Sequence, residues 1–226
     1  MLPSDVNLTI NDFDDGTYDI TNLNALNCLT SVGGFLTIFD NDLLTNLTGL
    51  DNLTSVGQFL EISFNGNLND LTGLENLTTI NESGGLNIQN NPMLTNLAGL
   101  ENLTTIDGNV VIGVNNQLTD LTALNNLTGI GGLLSIGFNA QLSNLNGLGN
   151  LTNINGFLNI SSNPMLSACC VLCPLLAEDD MDDTIINGTI TIQNNSTDCN
   201  SQDDIEACSP CKRQCDANVG SFSSRN

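Results

Sequence analysis

The stretch NLTGLDNLTSVGQFLEISFNGNL, Asn46 to Leu68, decides the fold because the chain keeps repeating it. It returns as NLAGLENLTTIDGNVVIGVNNQL at 96–118 and as NLNGLGNLTNINGFLNISSNPML at 144–166. The leucine that closes each LTGL-type word falls at Leu26, Leu50, Leu74, Leu100, Leu124 and Leu148, in steps of 24, 24, 26, 24 and 24 residues. The two extra residues lie in NESGG, 81–85. A fixed period of this length marks a repeat array, in which each unit buries its apolar side only against its neighbours.

Within one unit, Leu44, Leu47, Leu50, Leu53 and Val56 recur every third position, which is neither a helix period nor a strand period. Short 3₁₀ turns or extended polyproline-like segments suit that spacing. Leu60–Glu61–Ile62 then alternates and reads as a three-residue strand. Three residues after each isoleucine stands an asparagine: Asn41, Asn65, Asn91, Asn115, Asn139 and Asn163. Its amide can bond the backbone groups that a turn leaves unpaired, so the stacked copies are expected to form a ladder inside the coil.

The motif L-x-I-x-x-N-x-x-L resembles the strand-and-asparagine core of leucine-rich repeats. Its fuller form, LTSVGGFLTIFDNDLLTNLTGL at 29–50, more closely resembles receptor L domains, the repeat modules of insulin- and EGF-receptor ectodomains. The resemblance covers roughly 7–195. It implies a β-rich solenoid with one short parallel strand per coil, and a partner surface on the strand face.

The array extends past its regular part. Ile185 to Asn195, IINGTITIQNN, repeats Ile154 to Asn163 at a distance of 32 residues, and Leu8–Thr9–Ile10 matches Leu36–Thr37–Ile38 at 28. About eight coils are therefore expected, some 35–40 Å long at about 4.8 Å per coil. The organisation expected is an irregular N-terminal coil over 1–28, regular repeats over 29–166, and a Cys-rich cap over 167–226 that includes one further coil at 185–195.

Twenty-five acids against three bases give a net charge of −22, which excludes nucleic acid and anionic membranes as partners. No apolar run approaches membrane-spanning length. The opening residues lack the charged and apolar regions of a signal peptide, so a removed leader or a larger parent chain is expected. Aromatics are only 4% and tryptophan is absent, so the core must be built of leucine and isoleucine.

Seven of the eight cysteines lie late: Cys169, Cys170, Cys173, Cys199, Cys208, Cys211 and Cys215. Cys170-x-x-Cys173 and Cys208-x-x-Cys211 have zinc-ligand spacing, so zinc competes with disulfides. A dozen N-x-S/T sequons, among them Asn46, Asn52, Asn76, Asn102, Asn126, Asn150, Asn187 and Asn195, are partly by-products of the repeated NLT. Cysteines and sequons together favour an extracellular or cell-surface glycoprotein with a disulfide-rich cap. The eighth cysteine, Cys28, stands where the next unit has Asn52. It lies about 25 Å or more from the cap, and a disulfide needs Cα atoms within about 7 Å. Seven being odd, Cys28 pairs with a cap cysteine of another molecule, stays free, or bonds to a segment upstream.

No histidine means no Ser-His or Cys-His nucleophile, and no glycine loop leads from a strand into a helix. The carboxylates sit at repeat positions, as on a solvated face, so no enzyme is expected. Thr30, Thr54, Thr78, Thr104, Thr128 and Thr152 form an outward rank of the kind that ice-binding solenoids display, or one that simply keeps the coil soluble. Asp51, Glu75 and Glu101 stack on consecutive coils, and the run Glu178, Asp179, Asp180, Asp182, Asp183 is a solvated loop or a weak calcium candidate. No other cofactor is expected. On the strand face, Phe35, Phe39, Phe59 and Glu61 form the candidate interaction surface.

The function expected is structural: an extracellular assembly component whose thinly protected first coil lets copies stack head to tail into filaments. The alternative is a receptor-type ectodomain that binds another extracellular protein or a glycan on its strand face, and ice binding is a third.

Overall fold

A computed structural model describes residues 6–12, 20–81, 84–176 and 185–208. Three-residue spacing becomes a chain of tight turns. The Leu50 N–H donates to the Leu47 carbonyl and the Leu53 N–H to the Leu50 carbonyl, each an i to i+3 bond. Such turns bring every third side chain to one side, and Leu44, Leu47, Leu50, Leu53 and Val56 are all fully buried. Leu60 and Ile62 join them from the strand that follows, so one coil contributes seven enclosed apolar side chains, each worth about 1.5–3 kcal/mol of transfer from water.

The coils stack as a parallel solenoid. Its long sheet has eight strands in sequence order, from Leu8–Asn11 and Leu36–Phe39 at one end to Leu158–Ser161 and Ile190–Gln193 at the other. Like residues face like across each step: Leu36 pairs with Leu60, and Ile38 with Ile62. Six of the strands, Leu36–Phe39 through Leu158–Ser161, keep the 24- or 26-residue spacing. The solenoid proper thus has about six regular turns where about eight coils were expected, and the flanking strands pair at the expected steps of 28 and 32 residues.

Two features depart from the sequence expectation. Each long strand has four residues, not three. Each of the six regular coils also carries a second strand of two residues, and with Ile185–Ile186 of the coil that follows these pair into a seven-stranded parallel sheet starting at Ser31–Val32. Two residues are too few to establish an alternation, so the neighbouring coil, not the local pattern, extends them.

Among the described residues, two α-helices lie at the C-terminal end of the stack, α1 (Cys173–Leu176) and α2 (Gln202–Glu206). Ser201 caps α2 by accepting from the Asp204 N–H, and Asp203 and Asp204 sit in its first turn, where the helix dipole favours acids. Disulfides Cys169–Cys199 and Cys170–Cys208 tie this cap to the last coils, and Cys173 is disulfide-bonded too. Cys170 and Cys208, from the two ligand-spaced pairs, are joined to each other, which removes the thiolates a zinc site needs. Cys211, Cys215 and the acidic run with Asp179, Asp180, Asp182 and Asp183 lie outside the described residues.

Candidate functional site

Each coil turns its corner at the residue before the buried asparagine. Asp40, Phe64, Asn90, Val114, Phe138, Ser162 and Asn194 all adopt left-handed backbone, with φ between 55° and 60°. This corner aims the next side chain inward. Asn41, Asn65, Asn91, Asn115, Asn139 and Asn163 are fully buried. Each backbone N–H donates to the Oδ1 of the next asparagine at 3.0–3.2 Å. Each Nδ2 donates to the isoleucine carbonyl of the preceding coil at 2.9–3.1 Å. Asn195, a sequon by spelling, is the seventh rung: it accepts from Asn163 and gives its Nδ2 to the Ile160 carbonyl.

A second ladder runs along the NLT words. The Nδ2 groups of Asn52, Asn76, Asn102, Asn126 and Asn150 donate to a backbone carbonyl one coil below at 2.6–2.7 Å. The hydroxyls of Thr54, Thr78, Thr128 and Thr152 do the same at 2.9–3.1 Å. Asparagine and threonine of the NLT word therefore both work in the fold, and the threonine rank has a structural use. Asn46 differs, since its Oδ1 accepts from the Thr48 N–H and its Nδ2 has no partner among the described residues. Asn187 is exposed. Cys28 replaces a ladder asparagine in the first regular coil; its thiol is exposed and free among the described residues.

The outward face of the long sheet is set apart by charge. Among the 32 residues of its eight strands, Glu61 alone is charged, in a chain of net charge −22. Glu61 accepts from the Ser63 hydroxyl at 2.9 Å. Charge depletion is what separates the core of a binding surface from ordinary protein surface.

The candidate aromatics divide along this face. Phe39 packs with Phe64 of the next coil, ring centroids 5.3 Å apart. Phe35 is exposed and Phe59 half-buried at the opposite, entering edge of their strands, where Phe157 also stands exposed. Sequence reasoning missed Phe64, Val114 and Phe138, which are 50%, 36% and 63% exposed along the corner. The signal was present: the residue before the ladder asparagine is Asp, Asn or Ser in four coils and Phe or Val in three. Left-handed backbone costs an L-residue roughly 1–2 kcal/mol and is eased for Asn and Asp. For a β-branched residue such as Val114 it is a true outlier.

Beside these residues, Gly113 and Gly137 floor a trough of about 180 Å³, walled by Val111, Val114 and Phe138 and edged by Gln89, Ser135 and Asn159. A larger groove of about 420 Å³ lies on the turn side, near Asn96, Glu101 and Asp120. There the polar groups are already committed: Glu101 to the Gly99 N–H, Asn96 to the Ala98 N–H, and Asp120 to Thr122.

Residues 102–208 match the family model for the receptor L domain. No match was found among curated proteins or solved structures. The matched segment holds the last regular coils and the disulfide cap, so the repeat is receptor L-domain-like in its C-terminal half. That match and the disulfides point to an extracellular or cell-surface protein. No helix among the described residues is long and apolar enough to cross a membrane.

Proposed function

We propose that this receptor L-domain-like solenoid is a non-catalytic extracellular recognition module that takes its partner on the outer face of the long sheet. The observation that carries the reading is the set Phe64, Val114 and Phe138, apolar, exposed and held in a backbone conformation that disfavours them, with Asn90 standing between the first and the other two. Nothing in the folding of the coil asks for these side chains, because Asp40, Asn90, Ser162 and Asn194 turn the same corner. Strain kept at exposed apolar side chains is the mark of a functional surface.

Head-to-tail stacking into filaments is less well supported. The C-terminal end of the ladder is finished within the chain: Asn200 Oδ1 accepts from the Asn195 N–H, and its own N–H donates to Asp204 of α2. A finished ladder offers the next copy fewer open groups.

The test is binding of the full chain to arrays of purified extracellular proteins and glycans, repeated with the triple variant Phe64→Ser, Val114→Asn, Phe138→Asn. Loss of every partner with the melting temperature retained or raised supports the reading. Partners that survive the triple variant and are lost by substitutions on the turn side would overturn it.

A further inference from the structure

The trough over Gly113 and Gly137 carries a ligand class. We propose that it binds a neutral oligosaccharide, laid along the stack with one ring against Phe138; this rests on the strand face being the recognition surface.

Its polar groups are all uncharged and able both to donate and to accept. Asn159 Nδ2 donates to Ser135 Oγ at 3.2 Å, which leaves the serine proton and the asparagine Oδ1 to serve a ligand. The Gln89 amide has no side-chain partner among the described residues, and it edges the same trough. Paired hydroxyls of a sugar need such two-way groups. A charged ligand would find no counter-ion here, since Glu61 lies outside the trough lining and already accepts from Ser63. A polar rim over an apolar wall is the general form of a small-ligand site, and Phe138 supplies an aromatic face to the flat apolar side of a ring.

Size and repetition point the same way. About 180 Å³ is well below the roughly 300–1,000 Å³ of a pocket that encloses a whole drug-sized ligand. It suits one ring of a longer chain. Val111, Ser135 and Asn159 stand in register on three successive strands, about 4.8 Å apart, so a chain laid along the stack meets one outward side chain at each step. An extended peptide would gain less. Its usual contribution is backbone hydrogen bonding to a free strand edge, and the strands beneath the trough are paired on both sides.

The repeat itself supplies test substitutions that the fold accepts. Phe138→Asn installs the residue found at Asn90 and Asn194, and Gly113→Ser that found at Ser63 and Ser161. Glycan-array screening of the full, oxidised chain is followed by titration calorimetry with the neutral oligosaccharides that bind. Neutral glycans should bind and acidic ones should not. Each substitution should weaken binding about tenfold or more, with the melting temperature raised for Phe138→Asn and lowered slightly for Gly113→Ser, whose Cβ would meet the Gly137 carbonyl oxygen at 3.2 Å. Absence of any neutral glycan partner at millimolar concentration overturns the carbohydrate assignment. If proteins then bind and Phe138→Asn abolishes it, the recognition face stands and only the ligand class falls. If glycans bind but neither substitution matters, the trough is not the site.

Discussion

At the scale of the residue, the chain separates asparagines by which atom works. Where Oδ1 accepts a turn N–H, asparagine and aspartate interchange: Asn22, Asn46, Asp70, Asn96, Asp120 and Asn144 all make the same bond two residues on. Where Nδ2 donates to the coil below, at 52, 76, 102, 126 and 150, only asparagine appears. A carboxylate has no proton to give and would face a carbonyl. Asn76→Asp should therefore cost about 1 kcal/mol. Asn46→Asp adds the same charge and should stay within about 0.5 kcal/mol of the parent. Chemical denaturation of the two variants checks this, and equal losses would refute the distinction. Whether a glycan sits on Asn46 or Asn187 is a separate matter of expression host, read by mass spectrometry.

At the scale of the element, the turn between the second and third leucines exists in two forms. In three coils Gly49, Gly73 and Gly99 have φ near +113°, and the acid two residues on, Asp51, Glu75 or Glu101, accepts the glycine N–H at 2.7–2.9 Å. The stacked acids thus hold turns in addition to facing solvent. In other coils a 3₁₀ helix takes over, as at Thr122–Leu124, with Ala123 in the glycine's place and Asn125 in the acid's. The two forms are not interchangeable. Gly73→Ala would set a Cβ against the Leu47 carbonyl at a φ alanine avoids, at a cost of about 2–3 kcal/mol. Ala123→Gly should lose only about 0.5–1 kcal/mol. Thermal melts of both variants measure the asymmetry.

At the scale of the whole molecule, each coil touches only its neighbours, so stability is shared along one dimension and an end is the weak place. The cap disulfides span 30 and 38 residues, which on the loop-entropy account contribute roughly 3–4 kcal/mol each. Reduction should lower the melting temperature, and hydrogen exchange should show protection lost first over 158–208 while 60–137 remains protected. Uniform loss along the stack would argue that the coils unfold as one unit and that the cap has no local role.

The period, the buried leucines and the asparagine ladder could be read from the letters, because in a stacked solenoid residues one repeat apart in sequence are neighbours in space. Periodicity along the chain is then the same information as contact across coils. The surface of the candidate site was legible only in part. Phe39 and Glu61 stood out as strand-face residues, whereas Phe64, Val114 and Phe138 looked like ordinary turn residues until the left-handed corner put them outside. The second sheet, the pairing of Cys169 with Cys199 and of Cys170 with Cys208, and the trough over Gly113 and Gly137 belong to the tertiary structure alone. Each depends on backbone torsion or on the juxtaposition of two different coils, and neither is written in the local pattern of any one unit.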